Sequence, residues 1–413
     1  MFDVNSAVRT RPKIQLMDPL SLLRDVLTKV QYFSQPFFMC LSLVLLFDRY
    51  ASTFGMLDHP DERKRHGNPV PLVGGPAIYL AISFSIVVLV PHSITALFLA
   101  IGGLVLILGL LDDRFDLTAR HRIVAQLVIA WLTVAYAGVE IHRIGNLVGF
   151  GAFELGGAFS VVFSVICIVG VINAFNMIDG VDGLAGGIAL VSFSGIGVLC
   201  FFGDFGVGAR ISMIFVGALT AFMCFNSRLF LPKARVFLGD SGSTLIGFSL
   251  AWFFISLTQS DDRYVSPIVA GWLFGIPLID TISVMVRRIS RGVSPMTGGR
   301  DHLHHRLIDA GWSVNRTVIS MLTAQAALVG TGVLANGYSS LEPVLFISFV
   351  VIVMAYHWLM PAAIRRIKKH HNAPPVAVPT DSAAAVSIPV ARPRKTTDIP
   401  SPKVAIEAEE SST

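Results

Sequence analysis

The sequence predicts an all-α polytopic membrane protein of about eleven transmembrane helices, with its polar chemistry gathered in loops on one side. Three observations carry this. Of 413 residues, 53% are hydrophobic and 14% charged, whereas a soluble domain carries about 25% charged residues. Apolar segments recur along the chain near the roughly 17–25 residues that a helical span needs. The loops between them alternate in charge, as loops on the two faces of a membrane do.

Residues 1–30 form an N-terminal segment. It holds Arg9, Arg11, Lys13, Arg24 and Lys29 and lacks the apolar core and cleavage site of a signal peptide. Its stretch from Pro19 to Leu27 predicts a short amphipathic helix at the membrane surface. A transmembrane domain follows over 31–360. Its apolar segments centre on 31–50, 75–91, 93–111, 123–139, 159–172, 184–202, 209–225, 243–258, 265–286, 316–335 and 341–360. The second and fifth are short and borrow flanking residues. The ninth contains Pro267 and Pro277, so a kink is expected there. The loop 140–158 is Gly-rich and alternates from Leu147 to Leu155, which predicts a small β-hairpin. Residues 361–413 begin with Arg365, Arg366, Lys368 and Lys369 and turn to Pro, Ala, Ser and Thr. Such a tail buries too little apolar surface to order itself.

Loops 51–74, 112–122, 173–183, 226–242 and 287–315 contain fourteen Lys and Arg residues. The other set carries only Arg143, Arg210 and Arg263. The first set is therefore expected in the cytoplasm. An odd number of crossings then puts the N-terminus outside, against the charge of its own segment, and the C-terminus inside. The net charge of +5 belongs to these anchoring loops and does not predict a nucleic-acid partner. Cys40, Cys167, Cys200 and Cys224 lie within apolar runs without a CxxC spacing, so they read as packing residues.

The unusual polar residues also fall on the basic side. A channel or transporter would place ionisable groups within helices near the midplane. Here the helix interiors are almost clean. Asp280, late in the ninth segment, is the main exception, and a structural carboxylate capped by a neighbouring helix or by Arg287 is as good a reading as a catalytic one. The first loop reads RKRHGNPVPLVGG over 63–75: a topology anchor, or a turn bringing cations and backbone to a polyanion. The second joins Asp112 and Asp113 to Arg120, His121 and Arg122. Adjacent carboxylates need a cation or proton to relieve their repulsion, and Mg²⁺ suits a site of few carboxylates plus substrate phosphates. The alternative is a helix cap followed by anchoring arginines.

The third loop, NAFNMIDGVDGLAGG over 173–187, holds Asn, Asp and Gly but no cation. Its glycines let backbone approach a hard cation or a nucleotide closely. In the fourth, Phe237-Leu238-Gly239-Asp240-Ser241, Asp240 is a metal ligand or a helix cap, and Phe237 a stacking face for a base. The fifth, Arg300-Asp301-His302-Leu303-His304-His305-Arg306, lacks the ligand spacing of a zinc site. Its Arg and His suit a pyrophosphate clamp.

RKRH…PLVGG, LLDDRFDL, NAFNMIDGVDGLAGG, FLGDSGS and RDHLHH occur in this order on alternate loops, from about Asp58 to Trp312. Together they closely resemble the polyprenyl-phosphate N-acetylhexosamine-1-phosphate transferase superfamily, glycosyltransferase family 4. The RKRH run and the HLHH form resemble its WecA type. The muramyl-pentapeptide type usually has an Ala-Pro-x-His-His-His pattern that is absent here. The resemblance implies a multi-pass enzyme of the bacterial inner membrane, its site facing the cytoplasm and its hairpin periplasmic. It implies transfer of N-acetylglucosamine-1-phosphate from UDP-N-acetylglucosamine to undecaprenyl phosphate with release of UMP, or use of another UDP-N-acetylhexosamine. The cofactor implied is Mg²⁺, with Mn²⁺ as a substitute; the partners are the two substrates and membrane lipid, while small-residue pairs such as Gly102-Gly103 and Gly186-Gly187 allow close helix packing within the chain or in a homodimer.

Carried over residue by residue, the resemblance implies that Asp112 orients or deprotonates the lipid phosphate and Asp113 supports the metal or the fold. Asn176 and Asp240 would bind the metal, and Arg120 and Arg122 the lipid phosphate. His66, Asn173, Asp179, Asp182 and Phe237 would bind the nucleotide. Arg300, His302, His304 and His305 would clamp the pyrophosphate or sugar.

Overall fold

Helix α1 (Pro19–Phe54) runs unbroken through both the expected surface segment and the first predicted span. The two had been expected as separate elements. No glycine lies between them, and Pro36 falls well inside the apolar part, so nothing stops the helix at residue 30. The computed structural model describes residues 19–58, 69–203, 205–260, 265–294 and 299–371. The predicted tail, apart from the part within the last helix, and His66 lie outside them.

Two short strands, β1 (Leu57–Asp58) and β2 (Val70–Pro71), pair antiparallel and lead into α2 (Gly74–Leu89). Helices α3 (Ser93–Phe115) and α4 (Ala119–Ala137) follow. The expected hairpin is present as β3 (Arg143–Gly145) against β4 (Phe153–Glu154). Next come α5 (Gly157–Ile178), α6 (Leu184–Phe202), α7 (Gly206–Asn226) and α8 (Gly239–Gln259). The chain continues as α9 (Pro267–Leu273), α10 (Gly275–Ser290), α11 (Leu303–Asp309), α12 (Val314–Ala335) and α13 (Glu342–His371). The last helix passes the predicted boundary at 360, because its basic residues at 365–369 extend the same helical run.

Among the described residues, eight helices are long and apolar enough to cross a membrane, or nine with the bent α9–α10 pair counted as one span. With the shorter α2 and with α4, every one of the predicted apolar segments is helical. The protein is thus an all-α, multi-pass membrane protein. Helix α8 lies at its centre, buried along nearly its whole length from Ser241 to Thr258 and packed between α3 and α5. Small residues let the backbones meet there: a Cβ on Gly75 would stand 2.5 Å from the amide of Gly242, and one on Gly247 2.8 Å from Cα of Ile172. An aromatic cluster fills the space beside α8, with Phe193 and Phe215 stacked at 4.1 Å and Phe98 between Phe248 and Trp252.

The ninth segment is broken rather than kinked. Helices α9 and α10 meet at 86° around Phe274, between the two prolines rather than at either one. Pro267 begins α9, where a missing N–H costs nothing. Pro277 lies in the first turn of α10 and cannot donate to the Leu273 carbonyl. Gln325 of α12 takes over the lost backbone bonds. Its amide nitrogen donates to Leu273 O at 2.8 Å, and its amide oxygen accepts from Ile276 N at 2.9 Å. Ser192 adds a second donor to Leu273 O.

Candidate active site

Helix packing brings the second, third and fourth motif loops to one point. Asp113, on the last turn of α3, reaches the start of α8. Its two carboxylate oxygens accept from the backbone N–H groups of Asp240 at 2.7 Å and Ser241 at 3.1 Å. This is an N-terminal cap supplied by another helix, placed where a negative charge favours the helix dipole. Asp240 does not cap the helix with its own side chain, the structural alternative to metal binding that its position suggests. Gly239 has φ +74° and a Cβ there would press on the Asp113 carboxylate at 2.8 Å, so a side chain is excluded twice.

Asp240 projects from that turn toward the end of α5. Asn176 Nδ2 donates to Asp240 Oδ1 at 2.6 Å and to Ser243 Oγ at 2.8 Å. Asn176 Oδ1 and Asp240 Oδ2 remain, two hard oxygen donors in a pocket already crowded with carboxylates. Asp179, which ends α5, feels that crowding. Burial raises its pKa to about 8, helped by the nearby charges of Asp240, Asp113 and Asp182.

Asp112 is buried and bonds toward α4. Its Oδ2 pairs with Arg122 Nη1 at 2.8 Å and its Oδ1 accepts from Leu117 N at 2.9 Å. Asp112 therefore fixes the α3–α4 turn and holds Arg122, whose guanidinium stays partly exposed at the mouth. Arg120 is exposed on the same turn. Asp182 is engaged by Arg228 Nε at 2.6 Å and by Ala234 N at 3.3 Å. Asn173 lies one turn deeper, its amide donating to Gln126 Oε1 of α4 at 2.6 Å. That contact joins α4 to α5.

The first loop is tied in through backbone. Phe237 N donates to Pro71 O at 2.8 Å, and Gly74 N and Gly75 N donate to Phe237 O and Leu238 O. Phe237 itself is half-buried. Asn226, which sequence reading passed over, links loops three and four: its Oδ1 accepts from Gly183 N and its Nδ2 donates to Val236 O. A lone Asn at a helix end gave no signal for this.

The fifth loop closes over the third. His304 is fully buried, and a Cβ on Gly180 would collide with its Nε2 and come within 3.3 Å of His305 Nε2. Neither ring nitrogen of His304 has a hydrogen-bond partner among the described residues. Burial holds its pKa down to about 3, with His305 adding to the effect. His302 directs its Nδ1 at Asp280 Oδ2, 2.8 Å away. Asp280 is thus bound by the fifth loop and by Tyr356 of the neighbouring α13, one of the two structural alternatives expected, and not by Arg287. Arg300 pairs at the surface with Asp309 at 3.2 Å. Asp301 bonds Arg288, which sequence reading counted only as a topology anchor.

The structure therefore brings together Asp113, Asn176, Asp179 and Asp240, with Asp112 and Arg122 on one flank and His304 and His305 on the other. Asn173 and Arg300 stand apart in local pairs. The described residues contain no convergence of three or more His, Cys, Asp or Glu side chains able to hold a metal alone.

Comparison with known proteins fits this arrangement. Residues 94–258 match the family model described as glycosyl transferase family 4. The chain is 33% identical over 345 residues to the undecaprenyl-phosphate alpha-N-acetylglucosaminyl 1-phosphate transferase of Escherichia coli K12, covering 80% of this chain and 93% of that protein. Proteins of the same name from Yersinia pestis and Haemophilus influenzae are 32% and 31% identical. They align over 81% and 77% of this chain, and over 93% and 92% of their own lengths. On the strength of that shared length, the chain belongs to glycosyl transferase family 4 and is a membrane-spanning transferase.

Proposed function

We propose that the protein transfers N-acetylglucosamine-1-phosphate from UDP-N-acetylglucosamine to undecaprenyl phosphate on the cytoplasmic face of a bacterial inner membrane, as the first membrane step of cell-envelope polysaccharide synthesis. The observation behind this reading is the junction of Asp113, Asn176 and Asp240 beside a buried histidine loop, in a chain whose relatives carry that activity in their names. An oxygen of the lipid phosphate forms a bond to the β-phosphorus of the donor. The bond from that phosphorus to the bridging oxygen breaks, and UMP leaves with the electron pair. Phosphoryl transfer of this kind needs positioning and charge neutralisation more than covalent help.

Arg122, held by Asp112, meets the lipid phosphate as it arrives from the bilayer. His304 and His305 face the diphosphate and sugar across Gly180, while Asp179 and Phe237 border the nucleotide. Asn176 and Asp240 fit Mg²⁺, a hard cation that takes one or two protein oxygens and fills its shell from phosphates and water. When bound, Mg²⁺ supplies charge neutralisation on the diphosphate. Asp113 keeps Asp240 aimed at the site by fixing the start of α8. A phosphate monoester has its second pKa near 6, so Asp112 contributes more by orienting Arg122 than by removing a proton.

The test is release of UMP by the purified protein given undecaprenyl phosphate and a panel of UDP-sugars, in detergent without a gradient. UMP formed with UDP-N-acetylglucosamine in preference to the other donors is the expected result. No UMP from any donor sinks the reading, and preference for another sugar reassigns the donor alone.

A further inference from the structure

Asp280 is the one buried carboxylate in the described helices that the reaction above does not use. It sits on α10, 1% exposed, just after the break that Gln325 secures. Its partners come from two other parts of the chain. Oδ2 lies 2.8 Å from His302 Nδ1, while Oδ1 accepts from Leu303 N at 3.1 Å and from the Tyr356 hydroxyl at 2.6 Å. Tyr356 belongs to α13, far along the chain from every motif.

A carboxylate only accepts hydrogen bonds, so the His302 nitrogen facing it must be the one that carries a proton. Nε2 is then the nitrogen left for a substrate, whether the ring is neutral or charged. Oδ1 is held by two donors and cannot trade places with Oδ2. The His302 ring in turn lies nearly parallel to that of His304, 12° apart at 6.0 Å, and His304 packs on Gly180. From this geometry we infer that Asp280 and Tyr356 are positioning residues, fixing the tautomer and orientation of His302 so that the fifth loop presents Nε2 to the donor's phosphates or sugar. The inference rests on the proposed reaction for its purpose but not for its geometry.

Asp280→Asn is nearly isosteric and makes a sharp test. The Leu303 N–H and the tyrosine hydroxyl demand an oxygen on their side, which turns the amide NH₂ toward His302. Nδ1 must then accept, and the proton moves to Nε2. The first measurement is the ring ¹⁵N spectrum of the full chain labelled at histidine, with the His302 signals assigned by their loss in His302→Gln. Wild type should show a protonated Nδ1 and Asp280→Asn a protonated Nε2. A wild-type His302 protonated at Nε2 alone overturns the inference.

The second measurement is UMP release. Asp280→Asn should lower kcat on the order of 10²-fold, as loss of an orienting partner does at metal-bound histidines, with the lipid-phosphate KM unchanged. Tyr356→Phe should give a smaller loss of the same kind. In a His302→Gln background neither change should lower kcat further, because both act through that ring. Losses that multiply in that background mark Asp280 as a structural residue and overturn the inference. If Asp280→Asn yields no folded protein, Tyr356→Phe completes the same cycle. If the wild type releases no UMP, the proposed reaction fails, and the ¹⁵N spectrum still decides the tautomer.

Discussion

The two ends of the helical bundle bury polar groups in opposite ways. At the hairpin end, polar side chains answer specific backbone groups and hydroxyls. Gln259 accepts from the N–H groups of His142 and Arg143 and donates to the Arg143 carbonyl. Glu342 accepts from Asn146 N at 2.6 Å and from Ser266 Oγ at 2.9 Å, and Glu140 accepts from Ser160. These contacts tie β3, α5, α8, α9 and α13 together. At the motif end, burial and the charges of Asp240, Asp113 and Asp182 raise the pKa of Asp179, and His304 lies buried with neither nitrogen partnered among the described residues. Polar groups that hold a fold close on themselves, whereas polar groups that await a ligand are left in tension. The low dielectric of the bundle sharpens both outcomes.

Substitution at the centre of the tense end should separate stability from activity most strongly. Asp240→Asn removes one of the crowded charges but keeps the shape. UMP release should fall at least about 100-fold, the scale of losing one preorganised electrostatic group, while the melting temperature in detergent holds or rises. Near-normal turnover would remove Asp240 from the reaction. A smaller effect is expected on the flank. Arg122→Ala should raise the KM for lipid phosphate about 10–100-fold, the worth of a charge-assisted hydrogen bond, and leave the donor KM near wild type. Equal rises in both would make Arg122 a structural partner of Asp112 only.

The hairpin end should give the mirror image. Glu342→Ala strands the part-buried Asn146 N–H and Ser266 hydroxyl, and since water reaches part of each, the cost per group lies at or below the lower end of the roughly 1–3 kcal/mol of a buried unpaired group. The melting temperature should drop while turnover at low temperature stays at the wild-type level. A loss of turnover without loss of stability would erase the contrast between the two ends.

What the sequence disclosed follows the same division. Spans and the hairpin were legible because long apolar runs and alternation are set locally. Asp113, Asn176 and Asp240, which the structure brings together, were grouped in the sequence only by the motifs that carry the family resemblance, since no local pattern says that loops so far apart in the chain will meet. The bend between α9 and α10 was misjudged as a kink, because the partner that replaces the broken bonds, Gln325, lies three elements away. Asp182 and Asn173 read as nucleotide ligands, yet one is engaged by Arg228 and the other by Gln126. Asn226, Arg228 and Tyr356 gave no local sign, since each matters only through a residue distant in sequence.

The pH dependence of stability should report the tension directly, with the mildest effect of the series. Asp179 has an ordinary pKa of 3.8 raised to about 8, so the folded state holds a proton that the unfolded state releases. The stability this brings is complete below about pH 4 and is lost as pH rises through 8. His304 works in the other direction: its pKa falls from 6.5 to about 3, so its contribution is complete above pH 6.5 and is lost as pH falls toward 3. Between pH 6.5 and 8 the Asp179 slope therefore acts without the histidine. The melting temperature of the ligand-free protein should decline across that window, and Asp179→Asn should flatten the decline. Saturating Mg²⁺ should flatten it as well in the wild type, because a cation relieves the repulsion that the proton otherwise removes. A slope that survives Asp179→Asn unchanged would assign the tension to some other group at that end of the bundle.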